Sequence, residues 1–257
     1  MTTDLVLEEH LDNATTVLTL NRPDRRNALT IELMETLCGA LDALSKQPGR
    51  RVVILRGAGL AFCSGLDLHE AALPDVAEHS ANWVARTFEM LSHSPLVTIA
   101  TAHGAALAGG AGLLASCDFA VAADDLKIGF PEVRRGIVPA LVAAVLRDRL
   151  RDGDARELFL VAEPITAERA MSIGLVHRVA PPERLLDEAR SLATTVLRGA
   201  PEAVRQTKRL LRELRSEELA SLLAQALKAH KRSRSSDEAE EGFAAFLEHR
   251  EPDWSAE

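Results

Sequence analysis

Long apolar runs are missing from this 257-residue chain: no uncharged apolar stretch approaches the roughly 20 residues that a membrane-spanning helix needs. The opening MTTDLVLEEH lacks the basic and apolar regions of a secretion signal, so a cytoplasmic location is expected. Cysteine is scarce. Cys38, Cys63 and Cys117 are odd in number, far apart and without CxxC spacing, which fits a reducing compartment and no structural zinc. The eight histidines show no metal-ligand spacing, so no metal is expected. Positive charge is not in excess either. A formal net charge of -8 argues against nonspecific nucleic-acid binding, though it leaves room for a local basic pocket for a phosphorylated ligand.

What is present is an ordinary globular composition, 47% hydrophobic and 26% charged, in a chain long enough for one large domain or a domain with an appendage. The most distinctive stretch is HGAALAGGAGLLASCD, His103 to Asp118. The β-branched run PLVTIATA leads into it and reads as a buried strand. Gly104, Gly109, Gly110 and Gly112 then suggest a backbone that bends sharply or approaches something closely. An apolar segment of helical length follows, and its start would aim N–H groups and a positive dipole end at the loop. The stretch reads as a cradle for negative charge, with a loop of packing glycines as the alternative.

Upstream, Leu5 to His10 and Thr15 to Leu20 are expected to form two strands around Asp12 and Asn13. The polar loop NRPDRRNAL follows. Thr30 is a candidate N-cap for a helix carrying Leu33, Met34, Leu37, Leu41 and Leu44, which Pro48 and Gly49 stop. VVILRG (Val52 to Gly57) reads as a buried strand, and GAGLAFCSGLDL as a second glycine-punctuated loop ending at Asp67, another N-cap candidate. Trp83, Val84, Thr87, Phe88 and Leu91 form a helical stripe between Val76 and Leu91, read as core with a pocket lining as the alternative.

Downstream, Phe119 to Phe130 reads as strand, turn and short strand, and Pro131 to Leu141 as a loop holding one carboxylate among apolar residues. Helices are expected at Leu141 to Leu150, Ala155 to Val161, Thr166 to Ile173 and Glu183 to Leu197, with Leu175 to Val179 the only further strand. Pro201 suits a first helical turn. A boundary is placed near Gly199, with a helical appendage beyond it. The basic run HKRSRS (His230 to Ser235) reads as a solvated helix end or turn.

Two strand–Gly loop–helix units, ending at Leu66 and near Gly109, offer backbone N–H groups at helix starts. Two such donors converging on one point make an oxyanion hole. Nucleotide readings fit less well. GAGLLA (Gly110 to Ala115) matches GxGxxA, but seven residues separate it from Ala102 at the strand end, and Asp124 and Asp125 come too early for a ribose-binding acid. A phosphate-binding P-loop needs Lys-Ser or Lys-Thr where Gly110-Ala111 stands, and there is no GxSxG.

VLTLNRPDRRNAL, GLAFCSGLDL, HGAALAGGAGLLASCDFAVA, FPEVRRGIVPA, MSIGLVHRV and the tail DEAEEGFAAFLEHREPDW together resemble, in order and over nearly the whole chain, the crotonase superfamily (the enoyl-CoA hydratase/isomerase family). The resemblance implies an α/β fold, a crotonase-type spiral of ββα units. The spiral core, residues 1–199, would bind acyl-CoA and carry catalysis. Residues 200–257 would form a C-terminal helical oligomerisation region, in a homotrimer or dimer of trimers.

It also implies roles. The N–H groups of Leu66 and Gly109 would polarise an acyl-CoA thioester carbonyl. Arg25 and Arg26, with Ala28, Ser64, Gly65, Leu66, Asp67, Leu68, Gly109 and Gly110, would lie at the CoA-binding site. Coenzyme A would be part of the substrate, with no separate cofactor, no nucleic acid and no membrane. Glu132 matches one of the two glutamates common in the family's hydratases, and its apolar neighbours would raise its pKa. The second glutamate position falls on Gly112. Adding water to a double bond is helped by two positioned groups, whereas shifting a double bond needs one base. The single glutamate is similar to the arrangement of the Δ3,Δ2-enoyl-CoA isomerases, while some bacterial relatives with a Gly-Leu pair here carry a hydratase label. Other readings are a catalytically weak acyl-CoA-binding protein and a further crotonase reaction such as thioester hydrolysis. His103 is read as structural, Asp118 as a local hydrogen-bonding residue, and Cys63 as no nucleophile for want of a positioned base.

Overall fold

The computed structural model describes residues 4–72, 74–214 and 219–254. In chain order the elements are β1 (Val6–His10), β2 (Thr15–Leu20), α1 (Ile31–Lys46), β3 (Val52–Gly57), α2 (Leu68–Ala71), α3 (Pro74–His93), β4 (Val97–Ala102), β5 (Ala105–Leu107), α4 (Gly109–Ser116), β6 (Phe119–Ala123), β7 (Lys127–Gly129), α5 (Ala140–Leu146), α6 (Asp152–Arg156), β8 (Ile165–Thr166), α7 (Ala167–Ser172), β9 (Arg178–Ala180), α8 (Leu185–Leu197), α9 (Pro201–Glu213), α10 (Leu219–Arg234) and α11 (Asp237–Leu247).

The larger sheet has six strands in the order β1-β2-β3-β4-β6-β9, antiparallel only between β1 and β2. Its interior strands are buried on both faces, as parallel strands covered by helices must be. Alternation sorts the side chains. Val17, Ile54, Ile99 and Val121 pack against Leu185, Ala189 and Ala193 of α8. Leu18, Val53, Ala100 and Ala120 face the other way, into the main core with Leu33 and Leu37 of α1 and Phe88 of α3.

A second, smaller layer runs beside the first. Its strands β5-β7-β8 are continued by two isolated parallel bridges, Leu29 with Leu66 and Cys63 with Ala106. The segments leaving β2, β3, β4 and β6 therefore touch this second ladder before entering a helix. That is the expected spiral of ββα units.

Local signals explain the helix ends. The Thr30 side chain accepts from Leu33 N at 3.2 Å, and Asp67 Oδ1 accepts from His69 N at 3.2 Å. Asp12 Oδ1 accepts from Ala14 N and Thr15 N and so builds the β1–β2 turn. Asp118 binds Thr98 N at 2.8 Å and Lys208 Nζ at 2.6 Å, tying β4 and β6 to α9.

Some expectations need correction. Pro131 to Leu141 is not all loop: Pro131–Arg135 winds into a 3-10 turn, and α5 begins at Ala140, because Pro131 presets the helical φ. The strand expected at Leu175 to Val179 is confined to Arg178–Ala180, since only Val121–Ala123 of β6 offers it a partner. Among the described residues, no helix is long and apolar enough to cross a membrane.

Candidate active site

Two loops meet where the second ladder is built. Leu29 N donates to Gly65 O at 2.8 Å and Asp67 N to Leu29 O at 2.9 Å, so the residue between them, Leu66, turns its own N–H away from that bridge. Gly65 has φ +93, a value that favours glycine, and a Cβ there would sit 2.8 Å from Leu107 O. Across from it, Ala108 holds φ 47 and ψ -119, a costly backbone for an alanine. That kink delivers Gly109 as the first residue of α4, whose N–H has no intrahelical acceptor and no capping side chain. The two donors are neighbours: a Cβ built on Gly109 would lie 3.8 Å from Leu66 N.

Both residues line one cleft, together with Ser64, Leu68 and Glu132. Glu132 is 8% exposed, and its Oε2 is buried without a hydrogen-bond partner. Burial pushes its carboxyl up to about 7, against the smaller opposing effects of its own backbone N–H and of Arg135. A carboxylate with a pKa near neutrality is suited to take and return a proton. The thiol of Cys63 is pushed the other way from reactivity, to about 12, by complete burial.

The position of the expected second acid is filled. A Cβ on Gly112 would lie 2.1 Å from Cζ of Phe88, whose ring is fully buried. An aromatic ring from α3 thus occupies the volume that a side chain at position 112 would need.

Not all expected site residues share the cleft. Ser64, Leu66, Leu68, Gly109 and Glu132 do. Arg25 and Arg26 are exposed on the adjoining loop, where the Arg26 carbonyl accepts from Ser64 N at 3.0 Å. Ala28 is buried, and its carbonyl accepts from Arg22 Nη1. The Asp67 side chain is committed to capping α2 and to Arg22, at 3.1 Å. Gly110 packs behind the cleft, where a Cβ would meet Cys63 O at 2.2 Å. His103 binds Gly59 O at 2.8 Å, in keeping with a structural role.

Sequence reasoning missed two groups of residues. Asn27 is fully buried, and its Nδ2 faces the carbonyls of Ala58, Ala61 and Phe62, joining the polar loop to the first glycine loop. His230 and Arg234 line the cleft, as does Arg135. HKRSRS is therefore a helix end but not simply a solvated one. His230 and Arg234 stand four apart, on one face of α10, and that spacing was the available signal.

Residues 10–257 match the enoyl-CoA hydratase/isomerase family. A Thermus thermophilus protein, provisionally named an enoyl-CoA hydratase, is 38% identical over 244 residues, covering 92% of this chain and 95% of that protein. The 2,3-dehydroadipyl-CoA hydratase of Escherichia coli is 32% identical over 244 residues, covering 93% of this chain and 94% of that protein. Among solved structures, an enoyl-CoA hydratase from Mycobacterium avium superposes with a TM-score of 0.87 at 32% identity, over 99% of this chain and 100% of that one. An enoyl-CoA hydratase/isomerase from Xanthobacter autotrophicus gives 0.88 at 32% identity, over 96% and 94%. The chain is a crotonase-fold enzyme and belongs to the enoyl-CoA hydratase/isomerase family.

Proposed function

We propose that this enzyme moves a double bond within an acyl-CoA thioester, converting a 3-enoyl to a 2-enoyl chain. The thioester oxygen accepts from Leu66 N–H and Gly109 N–H, which stabilise the negative charge as it develops. The Glu132 carboxylate takes a proton from C2, and the electron pair delocalises onto the thioester oxygen through the adjacent carbonyl. As it returns through the C3–C4 double bond to C4, Glu132 delivers the proton there. One base suffices. The observation that carries this reading is the Phe88 ring at Gly112, which leaves Glu132 without the second carboxylate that water addition would use.

Hydration of a 2-enoyl-CoA is the second reading, favoured by the names of the Thermus and Escherichia relatives. The two separate on purified enzyme given 2-enoyl-, 3-enoyl- and saturated acyl-CoAs. Gain of enone absorbance from the 3-enoyl substrate is expected. Loss of absorbance from the 2-enoyl substrate at a higher kcat/KM overturns isomerisation in favour of hydration. Free-thiol release indicates hydrolysis, and binding without turnover indicates a carrier.

We further propose that Arg25 and Arg26 lie along bound CoA, and that residues 200–257 serve assembly into a trimer or dimer of trimers. Exposed Leu210, Leu211 and Leu214 on and after α9 support the latter. Sedimentation of a monomer at micromolar concentration would overturn it. A cytoplasmic location is supported by three buried free cysteines, and no resident cofactor beyond substrate-borne CoA is proposed.

A further inference from the structure

Most of the cleft wall is apolar, with Leu68, Ala81, Val84 and Leu141 among its side chains. One end is not. There the 3-10 turn carrying Glu132 meets the last turns of α10, and Arg135, His230 and Arg234 all line the space. The turn and the helix are tied together: Val138 N donates to Ser233 Oγ at 2.9 Å, and Ser233 Oγ donates to Gly136 O at 3.3 Å.

The charges at this end do not balance. Arg135 lies near Glu132, which stabilises its charge, and its guanidinium sits 5.2 Å over the Phe246 ring. Arg234 has no such partner. Its Nη2 donates to Ala71 O at 2.9 Å, and its guanidinium sits 3.7 Å over the Phe243 ring. Among the described residues no carboxylate lies within ion-pair distance of it. Burial alone lowers the Arg234 pKa, and burial together with Arg234 lowers that of His230 to about 4, so the histidine is a neutral ring beside a cation. A guanidinium facing an apolar acyl tail would forgo its remaining N–H bonds. A carboxylate there would take them in pairs.

We propose that this end of the cleft receives a carboxylate at the far end of the acyl chain, held by Arg234 with His230 beside it. The substrates would then be mono-CoA thioesters of dicarboxylic acids. This rests on the reading of the cleft as an acyl-CoA site, but it concerns binding and stands apart from which reaction follows.

Calorimetric titration of the whole protein with succinyl-, glutaryl-, adipyl- and suberyl-CoA, each against the unsubstituted acyl-CoA of equal length, tests it. At least one carboxylated ligand should bind about tenfold tighter than its match, as a charge-assisted pair allows. Arg234→Met should erase that ratio and Arg234→Lys should keep part of it, with circular dichroism melting to confirm that both variants fold. Equal affinities across the pairs overturn the proposal. So does an Arg234→Met variant that weakens both members of a pair and free CoA alike, which would assign Arg234 to a CoA phosphate or to structure. Tight carboxylate-dependent binding without turnover would sustain this inference and defeat the proposed reaction; no binding of any acyl-CoA would defeat both.

Discussion

Gly112 and Phe88 are complementary: the ring of one fills the volume in which the other would carry a side chain, to within 2.1 Å of a built Cβ. Gly112→Glu alone should therefore cost about 2–4 kcal/mol of stability, through overpacking and the burial of an unpaired acid. Adding Phe88→Ala should recover part of that loss and raise hydration of 2-enoyl-CoA relative to isomerisation. Chemical denaturation and the substrate panel read the two effects. A single variant as stable as the parent would mean that the ring swings aside freely.

Glu132→Gln keeps the shape of the side chain and removes its ability to exchange a proton. Turnover should fall about 10²–10⁴-fold while acyl-CoA affinity changes little. Stopped-flow single turnovers beside a binding titration separate the two quantities, and undiminished turnover would remove Glu132 from the mechanism.

The pH dependence follows from the raised pKa of Glu132. As a base it must be ionised, so kcat/KM should rise with pH through about 7 and level off above it. Stability runs in the opposite sense. A carboxyl whose folded pKa lies above its unfolded value favours the folded state when protonated, and that contribution is lost as pH rises from about 4.5 to about 7. Glu132→Gln should thus match the parent in acid and exceed it by about 1–3 kcal/mol above neutrality. Melting curves across this range check the sign.

Gly65→Ala tests the placement of the first donor. The positive φ and the 2.8 Å approach to Leu107 O leave no room for a methyl group, so the loop must shift and take Leu66 N–H with it. Loss of one such donor should lower kcat about 10²–10³-fold. A variant with normal kcat would separate Leu66 from the reacting oxygen.

Asn27→Ala should destabilise the protein by about 2–4 kcal/mol, because three carbonyls lose a shared buried donor and the alanine inherits φ +54. Urea titration measures it. A change below about 0.5 kcal/mol would show that water replaces the amide without cost.

Most strands of the large sheet and most helix starts were legible in the chain because their causes are local: a β-branched apolar run at Val52 to Ile54, a capping hydroxyl at Thr30, a capping carboxylate at Asp67. The short strands β5 and β8 were not, since each is defined only by its partner in the second ladder. Glu132 stood out because its immediate neighbours are apolar. Phe88 opposite Gly112 was not legible, since the contact joins two helices and leaves no mark on either one's periodicity. Arg234 was masked by company. In a run of four basic residues, nothing local shows which one the fold turns inward.

The paired ladders carry a consequence for how this scaffold changes over time. Leu66 and Gly109 contribute only main-chain N–H groups, set side by side by successive windings of the spiral. No substitution at Leu66 short of proline deletes its donor, so the proposed charge-stabilising part of the site is sheltered from point mutation. Exposure to mutation concentrates elsewhere, at the glycine that shapes the loop and at side chains such as Glu132, Phe88 and Arg234. Under the proposed mechanism, a lineage can therefore exchange its reaction or its preferred acyl group by altering a handful of side chains, while the means of holding a thioester passes on intact with the backbone.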